Sequence, residues 1–575
     1  EGQEELLVTN VTMQPEAIRL DALTVRAPLA PPTAGRTGEE STMLPQELVN
    51  RLPLPDLDPT TLALLAEGVV ATELDSLTGR LGFSVAGMSD LLNQITLDGT
   101  VLRGGELGVP EEGVRLTQIT TSTFDASRGG FAGGQVSMTT ARGANRASGS
   151  LSYRLDDDAL QFNTASTVNA FTRHSLGGSW GGPIVRNKLF YNVSFQLSRN
   201  VNHRFALAAD DPLAVQRSGV SLDSISRFLS ILGGYGVPVE GQTGPYNQLR
   251  DDVRLQTRID WNLVQRRGQS HTLSLRLNAN VSGDDSTRIS ALDLAQHGGD
   301  TERNQRMGAL TLTSRFGTNW TNTLRVSYGE NWSEALPYAE MPEGRVRVTS
   351  DFEDGTRGTR NLVFGGNRSM PSESRSRDFQ ISDDVSFLLP LGYQIHRLKL
   401  GGSLERSSDV QRSTDDLLGV FTFASLADLE ANRPERYERA LAPREARTGT
   451  LNTGLYIGDT WRVSQPLELT LGLRWDRWSL DQRPAYNPAV EQAFGRRTDI
   501  APHASALSPR IGFNYRLNEP GSPVKELSGG IGVFAGRAPT GMYSSATRQT
   551  GLPDAEQRLI CIGSAVPVPD WDLYL

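Results

Sequence analysis

The side chains able to do chemistry are dispersed along this chain. Its six histidines are His174, His203, His271, His297, His396 and His503. None makes the His-x-x-x-His or His-Glu-x-x-His spacing that sets two imidazoles on one helix face for zinc. No Gly-x-Ser-x-Gly run precedes a helix, so no nucleophile elbow is formed. Gly104-Gly105 lacks the Lys-Ser/Thr of a phosphate loop. Asp156-Asp157-Asp158 and Asp284-Asp285-Ser286 offer oxygen ligands that suit Ca²⁺, but the favoured reading is solvated external loops. Cys561 is the single cysteine, which excludes a disulfide framework or a thiolate zinc site within the chain. The expectation is a protein that is not an enzyme and carries no cofactor or metal.

Arginine is the recurrent charged group. Arg254, Arg258, Arg276, Arg474, Arg510 and Arg516 all lie in runs where polar and apolar residues alternate strictly. Leu273, Leu275 and Leu277 alternate with Ser274, Arg276 and Asn278; Leu469, Leu471 and Leu473 alternate with Thr470, Gly472 and Arg474. A period of two puts one set on each face of a strand. The arginines then share the polar face, where they either pair with carboxylates or attract an anionic ligand.

About 13 such strands are expected, near 148–155, 174–182, 189–197, 253–262, 271–281, 309–317, 319–328, 377–387, 394–405, 451–463, 467–478, 509–517 and 526–536. A soluble sandwich and a membrane barrel both use alternating strands. Connection lengths decide between them. Short turns such as 317–319 and 464–466 alternate with long segments such as 198–252, 329–376 and 406–450. Soluble domains rarely hold many loops longer than about 15 residues, whereas outer-membrane barrels combine short periplasmic turns with long external loops. Trp180, Trp320, Tyr328, Trp461, Trp475 and Trp478 lie near strand ends, where an interfacial girdle belongs. No run approaches the 18 apolar residues of a membrane helix. With a net charge of -9 and scattered basic residues, nucleic acid is a poor partner.

Ahead of these strands lies a different texture, from Phe83 to Asn145. Asp98-Gly99 favours a tight turn. Gly129, Gly130, Gly133 and Gly134 crowd the chain beside Arg128, at positions where backbone can approach backbone closely or take positive φ. On spacing alone this stretch is also compatible with a Gly-rich loop in a small α/β domain. Leu97-Asp98-Gly99, the run Phe124 to Gly134, and Val136-Ser137-Met138-Thr139-Thr140 resemble the plug of TonB-dependent outer-membrane receptors of the Oar-like branch. The runs 421–429 and 456–463 resemble text in its barrel. Ala86-Gly87 departs from the Arg-Gly of many family plugs.

The resemblance implies a membrane β-barrel, antiparallel, with about 13 of an expected 22 strands present and a small α/β plug in its lumen. It implies an organisation of 1–19, the end of a carboxypeptidase-regulatory-like β-sandwich; 20–40, TonB box and linker; 41–145, plug; and 146–575, an incomplete barrel. Leu20, Asp21, Ala22, Leu23, Thr24 and Val25 would be the TonB box, pairing with TonB by strand addition; an edge strand with a Pro-rich linker is the alternative. Helical character is expected over Ser41–Thr78. The implied function is ligand import across the bacterial outer membrane, with TonB and its ExbB/ExbD complex as partners beside membrane lipid and an extracellular ligand of unknown class. A passive porin or adhesin barrel with a fixed plug is the alternative. An odd strand count and the absence of an export signal lead to the expectation of a fragment that inserts poorly alone, with the partner of Cys561 elsewhere.

Overall fold

The computed structural model describes residues 37–574, apart from 50, 53–58, 75–80, 104–107, 161–169, 208–217, 353–354, 393, 414, 442–443, 502, 519–524 and 538–540. The TonB-box candidate and the residues before it lie outside the described ones. Seven short strands come first: β1 (Glu40–Pro45), β2 (Val69–Leu74), β3 (Leu81–Val85), β4 (Gln94–Leu97), β5 (Thr100–Leu102), β6 (Val114–Ser122) and β7 (Gln135–Thr140). Long strands follow: β8 (Ser148–Asp157), β9 (Phe171–Val185), β10 (Leu189–Ala206), β11 (Gly244–Arg266), β12 (Gln269–Thr287), β13 (Gly299–Phe316) and β14 (Trp320–Pro337). After two shorter strands, β15 (Glu343–Asp351) and β16 (Arg357–Gly365), come β17 (Ser372–Leu391) and β18 (Gln394–Ser413). Short β19 (Val420–Phe423) and β20 (Arg436–Ala440) precede β21 (Arg444–Arg462), β22 (Leu467–Leu480), β23 (His503–Arg516) and β24 (Glu526–Gly532). The last strand is β25 (Arg558–Ile562).

The 13 long strands form one sheet whose order runs without a crossover from β8 to β24, all pairs antiparallel. This is the expected wall. Its outward face carries exposed Leu255, Leu277, Leu310, Ile457, Leu473 and Ile511. Its inward face buries Ser194, Gln256, Arg258, Arg276, Asn278 and Arg510. That is the reverse of a soluble core, and it fits a sheet whose solvent is hydrocarbon outside.

The strands run further than the alternation showed. β10 stays paired with β11 from Leu189↔Trp261 to Ala206↔Gly244. Its upper half, Ser-Arg-Asn-Val-Asn-His-Arg, is polar on both faces. Beyond an apolar band neither face needs to be hydrophobic, so the period of two fades while the ladder continues.

The long connections, expected as loops, fold into a second body, here called the cap. Its sheet has the order β16-β15-β19-β20-β25, with β15 and β19 parallel and the remaining pairs antiparallel. The helix Leu222–Gly234 covers it. Ser221 caps that helix through Ser224 N–H at 3.3 Å, and Ile225, Phe228 and Leu232 form its buried stripe. These meet Val346, Leu362, Phe364, Phe423 and Trp571 in one apolar core. Trp571 Nε1–H donates to Asn432 Oδ1 at 3.1 Å. The segments come from the β10–β11, β12–β13, β14–β17 and β18–β21 connections and from the residues after β24, and none of them announces a partner so distant in sequence.

Two local expectations are corrected. Ser41 to Pro45 is strand, not helix: β1 pairs with β6, Thr42 opposite Ile119. Val69 to Leu74 is strand as well, pairing with β3; pairing with a neighbour outweighs a weak local preference, and helix is left at Gln46–Val49 and Pro59–Ala63. Trp478 does not sit in an exposed girdle. It is 8% exposed and lies 5.6 Å from the ring of Tyr543.

Phe423 is fully buried in the cap. Phe423→Ala is expected to remove about 3–5 kcal/mol from cap stability. Limited proteolysis should then cut the cap segments while heat-modifiable migration of the wall is retained.

Candidate functional site

The plug sheet, in the order β1-β6-β7-β4-β5, meets the inner face of the wall, and its contacts are mostly polar. Asp98 and Gly99 make the two-residue turn between β4 and β5, with φ of 48° and 83°. Both values are positive, as a type I′ turn requires, and the Asp-Gly pair tolerates them. The turn sets the Asp98 carboxylate at the end of the sheet, between β7 and the wall. It accepts from Thr140 N–H at 3.0 Å and Thr140 Oγ1–H at 2.7 Å, which tie it to β7. From the wall it accepts Arg258 Nη1–H at 2.9 Å and Arg276 Nη1–H at 2.7 Å. Arg276 also donates to Leu97 O at 2.9 Å. Arg258 is itself oriented by Asp260, through Nε at 2.9 Å and Nη2 at 3.0 Å.

Burial pushes the Asp98 carboxyl up, but Arg276, Arg258 and the two Thr140 bonds outweigh it and hold the group below the usual carboxylate range. The sign follows from linkage. A depressed folded-state value contributes stability above the unfolded carboxylate value of about 3.9, and loses it as pH falls through the folded value. The contact is therefore fully charged at neutral and mildly acidic pH.

A second tie runs from Arg103, just after β5. Its Nε donates to Glu405 Oε1 at 3.1 Å and its Nη1 to Ser407 Oγ at 2.8 Å, both on β18. Arg537 Nη2 meets the other Glu405 oxygen at 2.6 Å. Gln380 on β17 completes the open edge of β5: its amide accepts from Val101 N–H at 3.1 Å and donates to Val101 O at 2.7 Å.

The third contact is the run 124–130. Arg510 Nη1 donates to Asp125 O at 3.0 Å and Arg128 O at 2.7 Å. Lys399 Nζ meets Asp125 Oδ2 at 2.5 Å. The apolar part is Phe124, pressed into wall glycines. A Cβ on Gly512 would lie 3.0 Å from Phe124 Cβ, and one on Gly530 2.7 Å from the Phe124 ring. A Cβ on Gly472 would lie 2.8 Å from that of Ala126.

The plug glycines singled out in the sequence have separate neighbours. A Cβ on Gly129 would lie 2.0 Å from Arg474 Nε, and one on Gly134 2.5 Å from Val85 Cγ2. Gly133 would meet Asn93 Oδ1 at 2.2 Å, and that oxygen accepts Gly134 N–H at 2.8 Å. Gly130 has φ of 77°. Arg128 lies inside the plug, donating to Thr120 Oγ1 at 2.7 Å and facing Glu39 at 3.3 Å. Arg103, Gln380, Glu405 and the wall glycines escaped sequence reasoning. Gly472 and Gly512 do occupy inward slots of the alternation, a signal that could have marked them. Nothing local marks the others.

Among the described residues no group of three His, Cys, Asp or Glu side chains is placed to hold a metal ion. Asp284 is engaged by Arg303 and by Arg250.

Asp98→Ala leaves two buried guanidiniums without their shared anion. Breaking a buried pair costs about 3–5 kcal/mol, so the plug should seat poorly. Exclusion of a large antibiotic such as vancomycin should fail in cells carrying this variant, and an unchanged barrier would show that the contact does not hold the plug. Gly133→Val drives a side chain into Asn93 and should also open the barrier or block assembly. A normal, closed barrel in that variant would refute the close-approach argument.

The profile of the outer membrane beta barrel domain family matches residues 139–248 and 240–558. No curated protein matches the sequence. Solved structures do match in fold. The siderophore receptor PirA from Acinetobacter baumannii is 16% identical, with a TM-score of 0.55 over 91% of this chain and 66% of its own. The outer membrane transporter YddB from Escherichia coli is 13% identical, with a TM-score of 0.54 over 83% and 58%. The ferric enterobactin receptor PfeA from Pseudomonas aeruginosa, as a mutant, is 15% identical, with a TM-score of 0.54 over 83% and 60%. The chain thus spans about 58–66% of the length of these structures. A wall apolar outward and polar inward, a plug sheet tied to its inner face and a family profile over most of the length agree: the chain belongs to the outer membrane beta barrel domain family, an outer-membrane protein with the plugged-barrel fold of TonB-dependent receptors.

Proposed function

We propose that the chain serves TonB-dependent import of a ligand across the outer membrane, with the plug displaced by work done from the inner membrane. The observation that carries this is the polarity of the plug–wall contact. Apolar contact comes from Phe124, from Ala126 against Gly472, and from Met307 of β13 among Leu97, Leu102 and Met138; the other ties are ion pairs and hydrogen bonds at Asp98, Arg103, Val101 and Asp125. Such groups exchange partners with water at a net cost of about 0.5–1.5 kcal/mol per neutral bond. An apolar seal would instead expose surface at about 25 cal/mol per Å². A polar interface, whose groups water can satisfy once they part, suits a plug that leaves and returns.

Leu20 to Val25 is the segment assigned to TonB, which would add to it as a strand. TonB with ExbB/ExbD would supply the energy, since the sequence offers no hydrolase motif. The solved structures of similar fold include proteins described as siderophore receptors and as a ferric citrate transporter. Ferric siderophores are therefore the first substrates to try.

Deleting Leu20–Val25 is expected to abolish accumulation of the transported compound while leaving its binding at the cell surface intact. The measurement is uptake of radiolabelled ferric siderophores in cells with and without TonB. Uptake that survives both losses would favour the alternative, a passive barrel with a fixed plug.

A further inference from the structure

Cap and wall are joined at a buried histidine. His297 closes the short turn Ala295–His297, just before β13 enters the wall. Leu294, ahead of that turn, is fully buried in the cap core. Against His297 lies the bend 366–371, which leads from cap strand β16 to wall strand β17. His297 and Asn367 are 7% and 6% exposed.

The hydrogen bonds fix which ring nitrogen carries the proton. Gly366 O can only accept, and it lies 2.9 Å from His297 Nδ1, so Nδ1 is protonated. Nε2 is left as an acceptor, 3.2 Å from Asn367 Nδ2. The orientation of the Asn367 amide follows from its other partners. Its Oδ1 accepts from Ser369 N–H at 3.0 Å and Ser369 Oγ–H at 2.7 Å, and its Nδ2 donates to His297 O at 3.1 Å. The bend so held keeps the buried Met370 against β13: a Cβ on Gly299 would lie 2.5 Å from Met370 Sδ.

Charged groups surround the ring. Glu343, on β15, is 1% exposed. Its Oε2 lies 3.8 Å from His297 Nε2 and accepts Arg368 N–H at 2.9 Å, while Arg345 engages its Oε1. Arg368 Nη2 donates to Asp416 Oδ2 at 2.9 Å, and Arg558 faces the same carboxylate at 3.3 Å. On the histidine's own connection Asp293 accepts Ser290 N–H at 2.7 Å, and burial pushes its carboxyl up. Tyr246 of β11 feels both Asp293 and Arg204 of β10.

We infer that His297 is an acid-sensitive latch between the cap and the wall. A second proton on the imidazole takes the lone pair to which Asn367 donates and sets N–H against N–H. The Glu343 carboxylate is the acceptor within reach of the new N–H, and it belongs to β15, not to the bend. The cation therefore turns toward β15, Asn367 lets go, and the bend 366–371 loosens over Met370. Histidines change charge between about pH 5 and 8. The cap stands at the end of the wall that carries the long external connections, so the medium outside the cell sets the latch. The inference goes beyond the transport reading and does not depend on it: it concerns when the cap is ordered, not what passes the plug.

The test is limited proteolysis of whole-gene protein purified from outer membranes in detergent. It is run at about pH 7.5 and about pH 5.5, on either side of the ordinary imidazole titration. Each rate is normalised to that of unfolded casein at the same pH. Cleavage within the cap segments is expected to rise at least about fivefold in acid, the scale of one lost hydrogen bond, while the wall stays uncut. His297→Gln keeps an amide at the joint but nothing that titrates there, and its cleavage should not rise in acid. Asn367→Asp offers the imidazolium a carboxylate in place of the amide N–H, so acid should no longer speed its cleavage. A cap equally resistant at both pH values in the unsubstituted protein overturns the inference. So does acid-enhanced cleavage that persists in His297→Gln, which would put the proton on a carboxylate, or that persists in Asn367→Asp. If His297→Gln fails to reach the heat-modifiable folded form, Asn367→Asp decides alone.

Discussion

The plug depends on one carboxylate shared between two guanidiniums. Asp98 sits where β4 turns into β5, reaches β7 through Thr140, and meets β11 and β12 through Arg258 and Arg276. Three plug strands and two wall strands converge on it. Among the described residues Arg276 has no other carboxylate in contact, Arg258 is shared by Asp98 and Asp260, and both arginines hold the aspartate charged. The Asp-Gly turn serves the same end: positive φ at both residues lets the chain reverse in two steps, so the carboxylate stands at the tip of the sheet instead of on its flank.

Much of the wall was legible because lipid imposes a simple rule. Backbone groups must pair along the sheet, and side chains must alternate between hydrocarbon and lumen. Leu273 to Val281 and Leu467 to Trp475 obey it residue by residue, which is why about 13 strands could be counted and the sheet has 13 among the described residues. The rule stops where the membrane stops. Ser198 to Ala206 pairs as regularly as the strand below it, yet its sequence no longer distinguishes two faces.

The site was legible in its glycines and in the Asp-Gly turn, and hidden in its cross-chain contacts. Arg103 and Glu405 are separated by 302 positions, and Val101 and Gln380 by 279. Nothing in either neighbourhood marks the other. The cap was hidden for the same reason. Phe364, Phe423 and Trp571 each sit in an undistinguished segment and acquire meaning only when the wall brings those segments to the same end.

The cap's connectivity also has a kinetic consequence. Its core joins residues as far apart as Leu207 and Trp571, and β20 pairs with β25 across more than a hundred residues of intervening wall. Closing loops of that length before the wall exists would cost entropy that few early contacts repay. Every second wall hairpin, by contrast, closes through a short turn, as between β9 and β10 or β11 and β12. Assembly therefore proceeds from the membrane outward: the wall zips strand by strand, and only then are the cap segments near enough to condense. The cap becomes the last part to form, a late report that the hairpins beneath it have registered in order.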